Sequence, residues 1–200
     1  MDVSTASYVA GFLDGDGSIH FQLVRQKEYR FGFYIRASIS FSQSTSARHG
    51  LERIQALVGG GGYMRDRGTG MSDLVITSRP LLLRILQGVE PYVIFKEIHV
   101  RRALAILPQL DRVKDPEVFL QLARQVDAFA TLNYSKTKRI TAADVERHLR
   151  SKGVLCPCND FFASNSEEMA SQDRNLGPQT PVEAITRQPL EIGWRYSLCP

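Results

Sequence analysis

The stretch "ASYVAGFLDGDGSIHF", residues 6–21, decides the fold, because it begins with the pattern of an apolar helix and ends with the pattern of a strand. Its apolar residues recur at helical spacing, which predicts a helix from about Thr5 to Leu13 with Ser4 as its N-cap. The glycines that follow are expected to end this helix. Two acidic residues, Asp14 and Asp16, lie between the helix and the strand. Carboxylates seldom lie this close to an apolar run unless they are paired or bound to a metal, so both are candidate functional residues.

The residues after the acidic pair predict a long β-hairpin. Apolar and polar residues alternate from Ile19 onward and again, after a charged turn, up to Phe41. The apolar set comprises Ile19, Phe21, Leu23, Ile35, Ala37, Ile39 and Phe41. The other set is polar and partly basic, so the hairpin is expected to have one buried face and one exposed face.

The periodicity of the remaining chain predicts an α+β fold. "SARHGLERIQALVG" has the apolar stripe of a helix, "YMRDR" and "SDLVIT" read as a second hairpin, and residues 80–89 read as another helix. The predicted order is therefore α-β-β-α-β-β-α with an antiparallel sheet, followed by three further C-terminal helices. Residues 154–200 hold five of the nine prolines and show no sustained period. We therefore expect one domain over residues 1–153 and a flexible or loosely packed acidic tail over residues 154–200.

The composition favours a globular chain with a polyanionic partner. Of the 200 residues, 43% are hydrophobic and 23% are charged, which is typical of soluble domains. No apolar run approaches the roughly 18 residues that span a bilayer, so no membrane partner is expected. Residues 1–153 hold 22 of the 25 Lys and Arg residues but 15 of the 21 Asp and Glu residues. This basic body favours nucleic acid as the partner.

The acidic segment has the composition of a calcium-binding loop and also of a plain glycine turn. A calcium-binding EF-hand loop starting at Asp14 needs glycine at its sixth position and glutamate at its twelfth, where this chain has Ile19 and Arg25. Those two residues exclude an EF-hand. A plain glycine turn would only end a buried helix. The small residues Ala10 and Gly11 argue against a plain turn. Glycine in mid-helix costs roughly 1 kcal/mol relative to Ala, so its presence there favours a close approach of another helix.

Together these segments carry a family resemblance. "YVAGFLDGDGS" resembles the motif of the LAGLIDADG homing endonucleases, and in particular of the group with one motif per chain. The likeness continues through "SISFSQ", "YMRDRGTGMSD", "VEPYVIFKE" and "ATLNYSKTKRIT", so that it covers roughly residues 5–150 in the same order. It would make residues 1–153 a LAGLIDADG endonuclease domain.

The resemblance implies a function and a partner. It implies an intron-encoded, site-specific double-stranded DNA endonuclease that cleaves a long, near-palindromic target by Mg²⁺-dependent phosphodiester hydrolysis as a homodimer. It also implies that the sheet is concave and that its polar face enters the DNA major groove. The implied location is intracellular, in a chloroplast, a mitochondrion or the cytoplasm of a prokaryote.

The resemblance also assigns candidate catalytic residues, namely Asp16, Gln43 and Lys96. Asp16 and the backbone carbonyl of Gly15 are expected to bind Mg²⁺, and two Asp16 carboxylates meeting at a dimer axis would need cations between them. Gln43 is expected to orient the attacking water, and Lys96 to lie near the scissile phosphate. Asp14 is expected to cap or pack at the base of the helix.

The sequence departs from the family pattern at one position. Four residues after Gln43, where close relatives often carry a second active-site Arg, this chain has Ala47, and the adjacent Arg48 is the candidate to replace it. Simpler roles also stay open, since Gln43 fits a capping residue before the next helix and Lys96 fits a solvated helix residue.

Two larger surfaces complete the prediction. The expected dimer seam comprises Tyr8, Val9, Ala10, Gly11, Phe12 and Leu13. The expected DNA-binding set comprises His20, Gln22, Gln26, Lys27, Tyr29, Arg30, Tyr34, Arg36, Ser38, Ser40, Arg65, Arg67 and Asp73, together with Lys136, Lys138 and Arg139 as phosphate contacts. Phosphate contacts position a protein, whereas Arg and Gln side chains can read guanine and adenine directly.

One alternative function stays open. Some members of the family lose cleavage and act as RNA maturases in intron splicing, or as DNA-binding regulators. The retained Asp16 argues against that alternative, and Ala47 argues mildly for it.

Overall fold

The computed structural model describes residues 1–111, 113–133 and 140–155. Its elements in chain order are α1 Val3–Asp16, β1 Gly17–Arg25, β2 Phe33–Ser44, α2 Arg48–Leu57, β3 Tyr63–Asp66, β4 Met71–Ile76, α3 Arg79–Val89, α4 Glu97–Ile106, α5 Pro116–Ala130 and α6 Ala142–Ser151. Short 3₁₀ turns precede α2 at Thr45–Ala47 and follow α4 at Leu107–Gln109. The predicted α-β-β-α-β-β-α order with three further helices is therefore confirmed.

The four strands form one antiparallel sheet in the order β1-β2-β4-β3. The first hairpin pairs Gly17 with Phe41 at one end and Arg25 with Phe33 at the other. β4 then pairs with β2 so that Asp73 lies opposite Ser42. This register brings the start of β1 and the end of β2 together at the same end of the sheet, beside the end of α1.

The apolar face of the sheet is buried under the helices. All seven apolar residues predicted to share a face are buried, and they belong to one core with the apolar stripes of the helices. Phe21 of β1 meets Phe129 of α5 edge to face, with ring centroids 4.8 Å apart. Because the helices pack on the apolar face, the alternate polar side chains are left on the opposite, open face.

The first helix is longer than the sequence predicts. It begins at Val3, because the side chain of Asp2 accepts a hydrogen bond from the backbone N–H of Thr5 and another from its hydroxyl. Asp2, and not Ser4, is therefore the N-cap. At its other end the helix continues through the two acidic residues to Asp16.

The glycine that ends α1 is Gly17, and the reason is steric. A Cβ at this position would lie 2.6 Å from Leu13 Cδ1 and 2.7 Å from the Leu13 backbone. Only glycine allows the chain to leave the helix so close to its own last turn and enter β1 directly. Helix and strand therefore follow each other without a loop, which fixes Asp16 at the sheet edge.

The predicted acidic tail lies almost entirely beyond the described part of the chain. Of the expected tail at residues 154–200, residues 156–200 are outside the described residues, so the domain boundary stays a prediction. Within the described ranges, no helix is both long and apolar enough to cross a bilayer.

Candidate active site and nucleic-acid interface

The end of α1 presents Asp16 as an exposed carboxylate. Gln43, near the end of β2, donates a hydrogen bond from its Nε2 to Asp16 Oδ2 at 2.6 Å. The two residues meet because Gly17, which follows Asp16, pairs with Phe41, two residues before Gln43. The structure therefore brings together two of the three predicted catalytic residues.

Asp14 has a different role, although it lies only two residues earlier in the same helix. Its carboxylate accepts hydrogen bonds from the backbone N–H of Ile94 at 2.7 Å and from that of Lys96 at 2.9 Å. It therefore ties the turn between α3 and α4 to the end of α1. Of the two expected roles, capping or packing at the base of α1, these contacts correspond to packing, and the partner is a turn distant in sequence.

Lys96 reaches the same place from that turn. Its Nζ donates to the backbone carbonyl oxygen of Asp14 at 2.6 Å. Burial lowers the pKa of Lys96, and the charges of Asp14 and Asp16 oppose that shift. The third predicted catalytic residue therefore lies beside the first two, in surroundings that make its ammonium group a stronger acid than a solvated lysine.

The donor atoms at this end of α1 suit a hard divalent cation. Asp16 offers carboxylate oxygens, and Gly15 lies in the last helical turn, where carbonyl oxygens have no partner within the helix. Oxygen donors of this kind are preferred by Mg²⁺ and Ca²⁺. Across the part of the chain that the structure describes, no group of three or more His, Cys, Asp or Glu side chains could hold a metal ion. The oxygen atoms at the end of α1 are therefore the candidate cation ligands in this part of the chain.

The arginine next to the position that departs from the family pattern has ion-pair partners nearby. Ala47 ends the short turn before α2, and Arg48 ion-pairs with Asp66 of β3 at 2.8 Å. Arg48 also approaches Glu52 one helical turn on, at 3.4 Å. Arg48 is therefore paired with exposed carboxylates of β3 and α2, and its role in place of the absent arginine stays a prediction.

The polar face of the sheet forms one wall of an open groove of about 710 Å³. Seven residues of the predicted DNA-binding set line it, namely His20, Gln22, Arg36, Ser38, Ser40, Arg65 and Arg67. Tyr63 and Thr77 line it as well and are absent from the predicted set. Their positions in the alternation, two residues before Arg65 and two after Val75, are the signal that would have identified them.

Asp73 corrects the prediction for the second hairpin. It lies on the predicted face, but its side chain is fully buried and cannot contact a base. Arg65 and Arg67 ion-pair with it at 2.7 and 2.6 Å, and the Ser42 hydroxyl donates to it at 2.7 Å. Burial alone would raise the pKa of Asp73, but the hydrogen bonds from Arg67, Arg65 and Ser42 outweigh it and lower the pKa to about 2. Asp73 therefore holds two groove arginines in place.

Further residues of the predicted set have local partners or lie in the turn between β1 and β2. The side-chain amide of Gln26 donates to Glu28 at 2.8 Å within this turn. Lys27, Tyr29 and Arg30 are exposed in that same turn.

One groove residue has a shifted pKa. Burial and the neighbouring His99 lower the pKa of His20, which favours the neutral form of its imidazole. The predicted phosphate contacts Lys136, Lys138 and Arg139 lie outside the described residues.

The predicted dimer seam divides into two faces of α1. Val9, Ala10 and Leu13 have no exposed surface, because they pack into the core of their own chain. These three residues therefore cannot line a seam between two chains, and that part of the prediction is wrong. The opposite face of the helix remains available, with Tyr8 61% exposed and Gly11 also exposed, while Phe12 is partly buried against Phe41.

A groove lined by three arginines on the polar face of a sheet is the kind of basic surface that binds nucleic acid. Comparison with known proteins agrees, since residues 9–98 match the LAGLIDADG endonuclease family. The chain is 34% identical over 145 residues to the DNA endonuclease I-CreI of Chlamydomonas reinhardtii, covering 72% of this chain and 88% of the relative. It is 31% identical over 147 residues to the DNA endonuclease I-CvuI of Chlorella vulgaris, covering 74% and 91%. The chain belongs to the LAGLIDADG endonuclease family.

Solved structures agree with the fold. The crystal structure of I-CvuI in complex with its target in the presence of Ca has a TM-score of 0.73 and 30% identity, covering 77% of this chain and 98% of that chain. I-CvuI in complex with the I-CreI target in the presence of Mg, with the DNA not cleaved, has a TM-score of 0.72 and 30% identity, covering 76% and 97%. These relatives confirm the predicted fold class.

Proposed function

We propose that this chain is a site-specific double-stranded DNA endonuclease that hydrolyses phosphodiester bonds with Mg²⁺ and works as a homodimer on a long, near-palindromic target. The observation that carries the proposal is the meeting of Asp16, Gln43 and Lys96 at the edge of the groove-lining sheet. The endonuclease names of the relatives support the reaction. The Ca and Mg in the I-CvuI structures support a divalent cation.

Each residue at the end of α1 has a chemical role in this proposal. Asp16 and the carbonyl of Gly15 would hold the cation, which when bound supplies charge neutralisation at the phosphate and a more acidic water. The Gln43 amide, which has both donor and acceptor atoms, would orient the water that attacks phosphorus. Lys96 would stabilise the charge that develops on the leaving oxygen, and its lowered pKa makes it the better proton donor to that oxygen.

A second copy of the chain is part of the proposal, because one chain supplies a single carboxylate to the metal site. The exposed face of α1 supports this pairing. A Cβ at Gly11 or at Gly15 would meet no atom within 4 Å, so the packing of a single chain does not require glycine there. Since Gly in mid-helix costs roughly 1 kcal/mol relative to Ala, we infer that these glycines allow a second α1 to approach. Two-fold pairing would place two Asp16 residues near one axis.

The alternative partner, intron RNA, has less support. The curated relatives are named DNA endonucleases, and Asp16 and Lys96 are both in place. A splicing assay on the host intron would test this alternative. The DNA that flanks the gene would test the implied intron origin and organellar or prokaryotic location, because an open reading frame inside an intron would have the joined exons as its target.

The decisive experiment selects duplexes that the full chain binds from a random DNA pool and then measures their cleavage in Mg²⁺. We expect the wild-type chain to cleave both strands and Asp16→Asn to bind without cleaving. Asp111→Asn is the matched control. The exposed carboxylate of Asp111, which follows α4, pairs with Arg79 at the start of α3, so this variant should cleave like wild type. Normal cleavage by Asp16→Asn would contradict the assignment, and absence of cleavage by wild type on every selected duplex would contradict the proposed function.

A further inference from the structure

We propose that Arg36 reads a guanine in the outer part of each half of the DNA target and that Tyr34 is the residue that positions it. Specificity would then come from two separate arginine sites on the sheet, one at Arg36 and the other at the pair held by Asp73. The inference rests on the proposed function and adds a base and an approximate position to it.

The geometry around Arg36 is that of a fixed side chain on the open face. Arg36 is exposed and lies opposite Gln22 in the β1–β2 register. Its Nη2 donates to the Tyr34 hydroxyl oxygen at 2.6 Å, and its guanidinium carbon lies 5.7 Å from the centroid of the Tyr34 ring. Tyr34 in turn stacks on Tyr29, with centroids 4.8 Å apart and ring planes 23° apart. The stacked rings therefore support the arginine and restrict its rotamers.

The two arginine sites differ in charge. Arg65 and Arg67 share the buried carboxylate of Asp73, so their site carries one net positive charge for two guanidinium groups. Arg36 is held by a neutral phenol, and no carboxylate in the described ranges forms an ion pair with it. The positive charge of Arg36 is therefore not offset by a paired carboxylate and is available to DNA.

The contact with Tyr34 leaves the hydrogen-bonding capacity that guanine requires. A guanidinium has five N–H donors, of which the bond to Tyr34 uses one. The others can donate in a bidentate manner to O6 and N7 of guanine, the commonest specific contact in the major groove. Because the Tyr34 oxygen accepts from Arg36, its own hydroxyl proton also remains available to a neighbouring base or phosphate.

The strand geometry places the two arginine sites at different distances from the cleavage centre. Asp73 lies opposite Ser42, next to Gln43, whereas Arg36 lies six residues back along β2. At about 3.3 Å per residue this separation is roughly 20 Å, or about six base-pair steps of 3.4 Å. The guanine read by Arg36 is therefore expected in the outer part of each half-site, about six base pairs farther out than the bases that face Ser42 and Asp73.

The test compares the base preferences of four full-length chains: wild type, Arg36→Ala, Tyr34→Phe and Arg25→Ala. Each selects duplexes from the same random DNA pool, and single-base variants of the selected site are then ranked by binding. Arg25 is the matched control, because its guanidinium carbon also lies over an aromatic ring, at 5.2 Å from the Phe33 centroid, while its place in the alternation puts it on the opposite face. Thermal melting verifies that each variant is folded.

The expected result is specific to one symmetric pair of positions. Wild type should prefer guanine there, and Arg36→Ala should reduce that preference at least about fivefold with the remaining positions unchanged. Tyr34→Phe, which keeps the ring and loses the hydroxyl, should give a smaller loss at the same positions. The inference is overturned if Arg36→Ala leaves every preference unchanged, if the affected base is not guanine, or if Arg25→Ala causes the same loss. A wild-type chain that selects no sequence would instead count against the proposed function.

Discussion

The end of α1 and the middle of β4 each place a carboxylate on the side of the molecule predicted to bind DNA, but the two carboxylates have opposite surroundings. Asp16 is exposed and, among the residues that the structure describes, accepts one side-chain hydrogen bond, from a neutral amide. Asp73 is fully buried and is held by two guanidinium groups and a hydroxyl. A carboxylate with one exchangeable partner can take up a cation, whereas one that is saturated by its own chain can only position its neighbours. Substitutions at the two positions should therefore separate chemistry from stability.

The largest effect is expected for Asp16→Asn on cleavage. Loss of the carboxylate should reduce the cleavage rate by on the order of a thousandfold or more. The reason is that the cation proposed to bind Asp16 would no longer stabilise the charge that develops at the phosphate. The free energy of unfolding should change by less than about 0.5 kcal/mol, since the side chain is exposed. Single-turnover cleavage and urea unfolding measure the two quantities. A large loss of stability in Asp16→Asn would show that Asp16, like Asp73, has a structural role, and would contradict the proposed difference between the two carboxylates.

Asp73→Asn should do the reverse and destabilise the fold. The lowered pKa of Asp73, about 2 against an ordinary 3.8, corresponds to roughly 2 kcal/mol of stability at neutral pH. Urea unfolding at pH 7 would measure this loss. Because the pKa is lower in the folded chain, this contribution is complete above about pH 4 and disappears as the pH falls toward 2. A wild-type minus Asp73→Asn difference that does not shrink over that range would contradict the assignment.

Gly11→Ala sharpens the comparison at the level of assembly. Removing a helical glycine should stabilise the single chain by up to about 1 kcal/mol, while the added methyl group should weaken close approach of a second α1. Sedimentation at a series of dilutions measures the dimer. Gly50→Ala, at another helical glycine with open space for a Cβ, is the control that should leave dimerisation unchanged. Equal dimerisation of wild type and Gly11→Ala would exclude this face of α1 as the seam.

The smallest effect is expected from His20. Its pKa is lowered in the folded chain by burial and by His99, so the unfolded chain takes up a proton first as the pH falls. Stability should therefore be slightly greater above about pH 6.5 than below it, and His20→Gln should remove that dependence. An NMR titration of the imidazole would contradict this if it gave a pKa above that of a free histidine.

The sequence predicts the strands better than the ends of the helices. Period-two alternation identified the buried face from Ile19 to Phe41, because strand geometry is local. It also placed Asp73 on the correct face, but the burial of Asp73 depends on β3 and β2, which no local pattern reveals. The extension of α1 to Asp16 brings Asp14 to the turn 94–96, about 80 residues further along the chain. Likewise, helical periodicity marked Val9 and Leu13 as apolar without showing that their own chain covers them.

The tie between Asp14 and the turn 94–96 has a mechanical consequence. Asp14 holds the backbone of the turn, and the lysine of that turn holds the backbone of Asp14 in return. These hydrogen bonds in both directions couple the last turn of α1 to the start of α4. If two copies of α1 move against each other on DNA, Asp16 and Lys96 should move together, so the spacing between the proposed cation ligand and the proposed proton donor is preserved.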